Sequence, residues 1–464
     1  RTHPVLPQSS VGLIKSRMPA SRHAQKKQGH NHWAILIALL SGVLVGVVFQ
    51  WVGLGADGSR PGWVGGSLQV MLFFADMFLR ALKMIIVPLV VASIISGIAG
   101  MKSMEGFARM GLKTWAFYLL GSLMAVCVGL LAVNTLQPGL VDGKPNQTLR
   151  AAMDAALGSE SADEISSVMK KAEGGTSSLV GIAVRMIPTN VIEACASGDL
   201  LAIIFFSILF AVAMVLVPGG PPPVLADFFR QLAEVMTLIT TWIMKFTPVA
   251  VFCLIGPAIA EVGVGVLQNL VPYVLTVASA LLIHSCVVMP GVLKLLARRS
   301  PLRHFKDMED SLLMAFSTAS SSATIPVTMR CLKDNSGVSD RVSSFVVPLG
   351  ATVNMDGTAL YECVVVVFAA QVLGLDLTVA QQFMVVVVAL LSSIGVAGIP
   401  AASLVAIIII MQNAGFSEEM IMASLGLILT IDRPLDMART AVNVFGDTVA
   451  SVVIARSEGE KLNE

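Results

Sequence analysis

Apolar residues dominate the chain over about 33–54, 68–100, 112–136, 178–218, 232–258 and 266–293. Each run reaches the roughly 20 residues a helix needs to cross the hydrocarbon of a bilayer. The first three read as plain spanning helices. The fourth is too long for one straight span and is divided by Pro188 and Gly198, so a broken or hairpin-like element is expected. Between the third and fourth lies 137–177, rich in Gly, Ser, Lys and acidic residues and read as a long external loop. Asn146-Gln147-Thr148 within it has the form of a glycosylation acceptor, a weak signal alone.

The pattern changes after residue 303. The cluster Ser317-Thr318-Ala319-Ser320-Ser321-Ser322-Ala323-Thr324 is followed by Pro326. The apolar segment 382–414 is interrupted by Ser392-Ser393-Ile394-Gly395-Val396-Ala397-Gly398-Ile399-Pro400. The apolar or helix-forming stretch on either side of each centre is too short to span, which predicts two re-entrant hairpins rather than two kinked spanning helices. Irregular backbone survives at membrane depth only where protein or a watery cavity satisfies its polar groups. Two such broken segments in the last third are the pattern of a binding site built from paired repeats.

Composition agrees. Hydrophobic residues make up 55% of the 464 and charged residues 13%, against about a quarter charged in soluble domains. The net charge of +1 argues neither for nucleic acid nor for an acidic partner. Residues 1–30 hold Arg1, Lys15, Arg17, Arg22, Lys26 and Lys27 without an acid, and no cleavage site ends the run from Trp33 to Gly53. That predicts a retained first helix with 1–32 as a cytoplasmic basic tail. The basic patch Lys294-Leu295-Leu296-Ala297-Arg298-Arg299, continued by Arg303, is expected on the same side after six crossings. The six cysteines lack CxxC spacing and read as small buried hydrophobes. Four of six histidines fall within the first 32 residues, on a solvated tail.

The strongest chemical signal is in the last helix, where Asp432, Asp436, Arg439, Thr440, Asn443 and Asp447 sit among Leu, Ile, Val and Phe. At about 100° per residue, Asp436, Arg439, Asn443 and Asp447 share a sector roughly 80° wide. Thr440 borders it, and Asp432 joins if the helix continues past Pro434. Ionisable residues inside a membrane cost at least about 2.5–3.5 kcal/mol each, so this stripe must face something polar. A network that merely locks helices together is the plainer alternative. Against it, the acids outnumber the single Arg and leave carboxylate uncompensated, which invites cations. The lone guanidinium in turn suits a carboxylate held through two bonds. A second cluster, Pro348-Leu349-Gly350-Ala351-Thr352-Val353-Asn354-Met355-Asp356-Gly357-Thr358, lies within the apolar run 343–374. The glycines bracketing Asn354 and Asp356 predict an unwound helix, whose carbonyls with Asn and Asp oxygens make a hard-cation site.

Ser320-Ser321-Ser322, Asn354-Met355-Asp356-Gly357-Thr358, Gly398-Ile399-Pro400 and Asp436-Met437-Ala438-Arg439-Thr440-Ala441-Val442-Asn443-Val444-Phe445-Gly446-Asp447, in order over about 33–456, resemble the dicarboxylate/amino acid:cation symporters. That family includes the excitatory amino acid transporters. The resemblance implies an all-α membrane protein of about eight transmembrane helices plus two re-entrant helical hairpins, with inverted repeats and elevator-type motion. It implies a homotrimer with helices 1–6 over 33–303, a core transport domain over 304–456 and a C-terminal tail over 457–464. Helices 3 and 6 would join the transport domain.

By matched positions, Arg439 would bind a substrate side-chain carboxylate and Asp436 its amino group. Asn443 would hold the α-carboxylate, with Ser321, Thr358, Thr440 and backbone around Ile399. One sodium set would use Gly350, Asn354, Asn443 and Asp447, and a second Thr352 with backbone at Ser393 and Ile394. A third would use Tyr118, Ser122, Asn354 and Asp356. Glu362 matches a residue that carries a co-transported proton in excitatory members; the alternative is a hydrogen-bonded structural Glu. Four positions depart from the family pattern. Gly121 replaces a usual Thr beside the third sodium set. Ala319 and Met437 stand at the two places where an additional Arg is found. Val396 replaces a frequent Thr, and Ser403 a Gly of the second hairpin.

The implied function is sodium-coupled symport of glutamate or aspartate into the cell, with or without a proton. No cofactor is expected beyond the coupling ions. A C4-dicarboxylate carrier is the nearest alternative, and Asp436 argues against it by repelling a second substrate carboxylate. An ion channel would need a continuous polar pore. An intramembrane enzyme would need a partner base for Ser321, and ATP-driven pumping a GxxxxGK[ST] loop, which the sequence lacks.

Overall fold

The computed structural model describes residues 31–52, 61–99, 104–156, 186–218, 220–261, 264–393 and 403–463. The tail 1–30, with three of its histidines, and the tip of the second hairpin at 394–402 lie outside them.

Helices α1 (Asn31–Val52), α2 (Gly62–Ala99) and α3 (Met104–Leu136) take the first three apolar runs. Lipid offers backbone groups no hydrogen bonds, so such runs satisfy themselves as helices. A two-stranded antiparallel ladder, β1 (Leu140–Val141) with β2 (Lys144–Pro145), then leads into α4 (Gln147–Ala156). This corrects the expected polar loop over its first half. Asn146 Oδ1 accepts from the N–H groups of Thr148 (3.0 Å) and Leu149 (3.3 Å), capping α4, while Leu149 and Met153 are buried. The rest of that expected loop, 157–177, is not among the described residues.

The fourth apolar run breaks where expected on its C-terminal side. Gly198, at φ 72°, ends α5 (Val191–Ser197), and Asp199 caps α6 (Leu200–Leu216). The fifth run, expected as one crossing, is bent within it. Helices α7 (Pro223–Met244) and α8 (Thr247–Glu261) meet at a 60° bend. Pro248 explains the place: it sits in the first turn of α8, where a missing N–H is harmless, and disfavours helical backbone just before it. Helix α9 (Val264–Ile283) continues through the π-helical turns His284–Val288 and Leu293–Ala297, and Arg298 in left-handed backbone (φ 53°) turns the chain into α10 (Pro301–Asp307). Arg299 departs from the expected basic patch: it is buried, ion-paired with Asp307 and hydrogen-bonded to Ser336.

Helices α11 (Glu309–Thr318) and α12 (Ser321–Cys331) form the first hairpin. Ala319, at φ 49°, makes the turn, and Ser320 Oγ caps α12 by accepting from the Ala323 N–H at 3.2 Å. The two arms are tied by the Ser311 and Thr328 hydroxyls (2.7 Å) and by Arg330 with Asp310 (3.3 Å). Helix α13 (Asp340–Val353) ends at Asn354-Met355, and α14 (Asp356–Leu373) starts there, so the predicted unwinding is present. Helices α15 (Val379–Ser393) and α16 (Ser403–Asn413) pack on each other as the arms of the second interrupted segment. The last helix, α17 (Glu418–Ser457), passes Pro434 without a break.

Among the described residues, four helical segments are long and apolar enough to cross a membrane, five if the bent pair counts as one span. The protein is therefore an all-helical, multi-pass membrane protein apart from its two-residue strands. Helix α14 is its axis: every residue from Asp356 to Ala370 is buried, encircled by α3, α9, α15, α16 and α17. A smaller apolar seam joins Ala38 of α1 and Val251 and Ile255 of α8 to Ala319 and Met437. The two places where an Arg was looked for thus lie together in a patch of methyl and thioether groups. Of the free cysteines, Cys253, Cys331 and Cys363 are buried as expected, Cys195 is half-buried, and Cys127 and Cys286 lie on exposed faces.

Beyond α17, Glu458 bridges back to α3 through Arg109 (2.8 Å) and Lys113 (2.7 Å). Glu460 accepts from the Ser339 N–H and from Arg341, each at 3.0 Å, and the Asn463 N–H donates to the Ser336 carbonyl. Of the tail expected at 457–464, residues 458–463 form a strap across the exit of the first hairpin.

Candidate functional site

Because α17 runs on past Pro434, its polar stripe extends to Asp432. Arg439 is fully buried between two carboxylates: Nη2 donates to Asp436 Oδ1 at 2.8 Å, and Nη1 lies 3.2 Å from Asp432 Oδ1. Its guanidinium stands over the Tyr361 ring, 3.8 Å from the centroid, and the Tyr361 hydroxyl donates to Asp432 Oδ1 at 2.8 Å. The Nε and Nη1 atoms have no hydrogen-bond acceptor among the described residues. Buried donors are nearly always satisfied, so such a guanidinium is chemically able to take an anion.

One turn on, Asn443 stitches α17 to the first turn of α14. Its Oδ1 accepts from the N–H groups of Gly357 (2.8 Å) and Thr358 (3.3 Å), and its Nδ2 donates to Thr358 Oγ1 (3.0 Å). Thr440 is buried beside it and bonds back to the Asp436 carbonyl. Ser321, Thr358, Asp436, Arg439, Thr440 and Asn443 are all buried, with Ser321 opening α12, which packs on α17. Ile399 lies outside the described residues.

A second polar nest surrounds the break at Asn354-Met355. Asp447 Oδ1 accepts from Asn354 Nδ2 at 3.0 Å, and Asp356 Oδ1 accepts from Ser122 Oγ at 2.8 Å. His284 Nε2 lies 3.3 Å from Asp356 Oδ2. The expectation of unpartnered carboxylates is thus corrected: Asp447 is bonded to an amide and Asp356 to a hydroxyl and faces His284, though neither meets a Lys or Arg among the described residues. Asn354 Oδ1 is a buried acceptor with no donor among the described residues. A side chain at Gly350 would overlap the Asp447 carboxylate and come within 2.7 Å of the Tyr118 hydroxyl, so only glycine leaves this nest open. Tyr118 donates to the Val346 carbonyl at 2.7 Å and Thr352 to Leu349 at 3.0 Å. At Gly121, a Cβ would lie 3.2 Å from Asp356 Oδ2. The missing Thr therefore widens the space beside that carboxylate. Two carboxylates, an orphaned amide oxygen and nearby carbonyls make an oxygen-rich cluster of the donor type that suits a small hard cation.

The structure brings Tyr118, Ser122, Asn354 and Asp356 together, and Gly350, Asn354 and Asp447 together. Ser393 closes α15, while Ile394 lies outside the described residues. Glu362 is fully buried on α14, one turn beyond Thr358. Sequence reasoning missed Tyr361 and His284 and left Asp432 conditional. Signals existed: the chain has only three tyrosines, all fully buried, and His284 interrupts an apolar run.

Comparison with known proteins bears on the same residues. The family model described as Sodium:dicarboxylate symporter family matches 32–457. The chain is 34% identical over 431 residues to a proton/sodium-glutamate symport protein of Geobacillus stearothermophilus, covering 92% of this chain and 94% of the relative. It is 31% identical over 427 residues to the proton/glutamate-aspartate symporter of Escherichia coli K12, covering 92% of each. It is also 31% identical over 484 residues to human excitatory amino acid transporter 2, covering 95% of this chain and 82% of that one. With both polar nests inside the matched region, the chain belongs to the sodium:dicarboxylate symporter family.

Proposed function

We propose that the protein is a secondary active symporter that moves glutamate or aspartate into the cell with sodium. The observation that carries this reading is Arg439, a buried guanidinium with donors to spare, flanked by Asp432 and Asp436. An incoming side-chain carboxylate finds its counter-ion there, and an incoming ammonium finds Asp436. The glutamate and aspartate named for the relatives support that choice. The nest at Asn354, Asp356 and Asp447, with Tyr118, Ser122 and Gly350, takes sodium as cargo. Thr352 and the backbone at Ser393 and Ile394 form a further sodium set. Ser321, Thr358, Thr440, Asn443 and the Ile399 backbone complete the substrate site, and Glu362 carries the proton if one is moved.

In the full reading, about eight spanning helices and two re-entrant hairpins form inverted repeats in a homotrimer with a cytoplasmic N-terminus. The unit 304–456, with helices 3 and 6, moves as an elevator past the remainder of 33–303. The small apolar seam through Ala319 and Met437 is a surface suited to such sliding, because its contacts are between apolar side chains.

The test is uptake of radiolabelled aspartate, glutamate and succinate into proteoliposomes under imposed Na⁺, H⁺ and K⁺ gradients. Sodium-driven accumulation of the amino acids over succinate is expected. Succinate uptake equal to theirs would replace this reading with a C4-dicarboxylate carrier.

A further inference from the structure

The end of the α9 span carries more positive charge than the one nearby carboxylate, Asp307, balances among the described residues. Over 294–306 the chain has Lys294, Arg298, Arg299, Arg303 and Lys306 and no acid. Arg299 alone is taken inward, and it consumes Asp307, the nearest carboxylate. Arg303 comes only to 4.0 Å of that same carboxylate. Lys294, Arg298 and Lys306 are exposed and have no ion pair or hydrogen bond among the described residues.

The apolar residues interleaved with these cations are exposed as well. Leu295 is 80% and Leu302 83% exposed, far beyond what a buried core would leave. They extend a series of outward-facing residues that runs along α9 through Leu275, Leu282 and Val287. Those residues belong to a membrane span, so the leucines continue a lipid-facing stripe to its end and the basic side chains stand where the hydrocarbon gives way to headgroups. Leucines in the acyl layer with lysines and arginines just above them match one chemistry: a phospholipid with a net negative headgroup. Free phosphate would use the charges and ignore the leucines, and an acidic protein would have to cover side chains placed at hydrocarbon depth.

We infer that 294–306 is a docking surface for anionic phospholipid. The surface is mechanically connected to the first hairpin. Arg299 fastens the segment to Asp307 and to Ser336, just past the exit of α12, so a headgroup held at Arg298 or Arg303 loads the base of the hairpin.

The experiment is calorimetric titration of the purified full-length chain in neutral detergent with dioctanoylphosphatidylglycerol and, separately, dioctanoylphosphatidylcholine. A basic residue near an anionic surface contributes roughly a fivefold factor, so the glycerol lipid should bind at least about tenfold more tightly. The quadruple variant Lys294→Gln, Arg298→Gln, Arg303→Gln, Lys306→Gln should lose that preference, and Leu295→Ser with Leu302→Ser should weaken both lipids. In the unaltered chain, raising salt from 50 to 500 mM should erode the preference, a readout that does not depend on how a variant folds. Equal binding of the two lipids, or a preference insensitive to salt, overturns the proposal. So does competition by inorganic phosphate at concentrations matching the lipid. None of these readouts involves transport, so they stand apart from the proposed function.

Discussion

Around Arg439, two carboxylates share one guanidinium; around Asn354, Asp356 and Asp447 meet a hydroxyl, an amide and a histidine but no Lys or Arg. Both nests are buried and both contain two acids, yet their charge balance differs. The first already holds a cation with donors left over, so it can take an anion by exchanging partners. The second has no Lys or Arg and an acceptor without a donor among the described residues, which under the proposed function suits a cation. Asn443 lies between them, on α17 between Arg439 and Asp447 and bonded to Gly357 and Thr358 of α14. Under the proposed function, Asn443 is the side chain through which occupancy of one nest would be felt at the other.

The largest effect should come from removing the cation that distinguishes the two. Arg439→Cys leaves Asp432 and Asp436 facing each other without a counter-ion, and breaking a buried pair typically costs about 3–5 kcal/mol. Uptake of acidic amino acids should fall at least about a hundredfold in proteoliposomes, and neutral serine should become a substrate. Unchanged aspartate affinity in that variant would refute the assignment of Arg439.

Asp447→Asn attacks the other nest and should weaken sodium and aspartate binding together, each by about tenfold, the factor a coupling of ~1.4 kcal/mol gives. Titrations of each ligand at fixed levels of the other check this. Two affinities that no longer or never depended on one another would dissolve the link through Asn443.

Tyr361→Phe is a gentler probe. It keeps the ring beneath the guanidinium but deletes the bond to Asp432, an effect of about 1 kcal/mol, or roughly fivefold in substrate affinity. A loss as large as that of Arg439→Cys would mean that Tyr361 contacts substrate itself. For Glu362, an opposing pH gradient should alter uptake by the unaltered protein and leave Glu362→Gln indifferent; an equal response in both makes Glu362 structural.

The smallest effect is expected far from both nests. Arg109 and Lys113 hold the Glu458 carboxyl down to about 2, below its ordinary value. A carboxyl depressed in the folded state stabilises above its ordinary range, and that contribution fades as the pH falls towards 2. Between pH 5 and pH 2 the unaltered protein should therefore lose slightly more thermal stability than Glu458→Gln. An ion pair whose cations stay partly in solvent supports a difference of about 1–2 °C in Tm. Parallel pH profiles would remove the strap from the account of stability.

Local signals were legible in the sequence when they interrupt something regular. The serine cluster announced the turn at Ala319, and Gly350 with Gly357 announced the break at Asn354-Met355, because each puts polar or flexible residues inside an apolar run. The stripe on α17 was readable because helical periodicity aligns its members. The bend between α7 and α8 was not, since the apolar run passes through it and hydropathy says nothing of direction. Helix α4 was hidden because its buried face amounts to Leu149 and Met153 within a polar stretch. Tyr361 and His284 were missed for a different reason: their partners lie 71 and 72 residues away, and only the packing of α9, α14 and α17 brings them together.

The strap also has a bearing on how the protein is made. Arg109 and Lys113 emerge about 350 residues ahead of the glutamate that closes on them, 349 in the case of Arg109. At 5–20 residues per second, translation leaves those two cations at the foot of α3 without that partner for roughly 20–70 s. During that interval they are available to the insertion machinery and to lipid, so the first spans can be oriented by the same charges that later fasten the last helix. Such a contact forms late by necessity, and it should mark the passage from an inserted chain to a finished one.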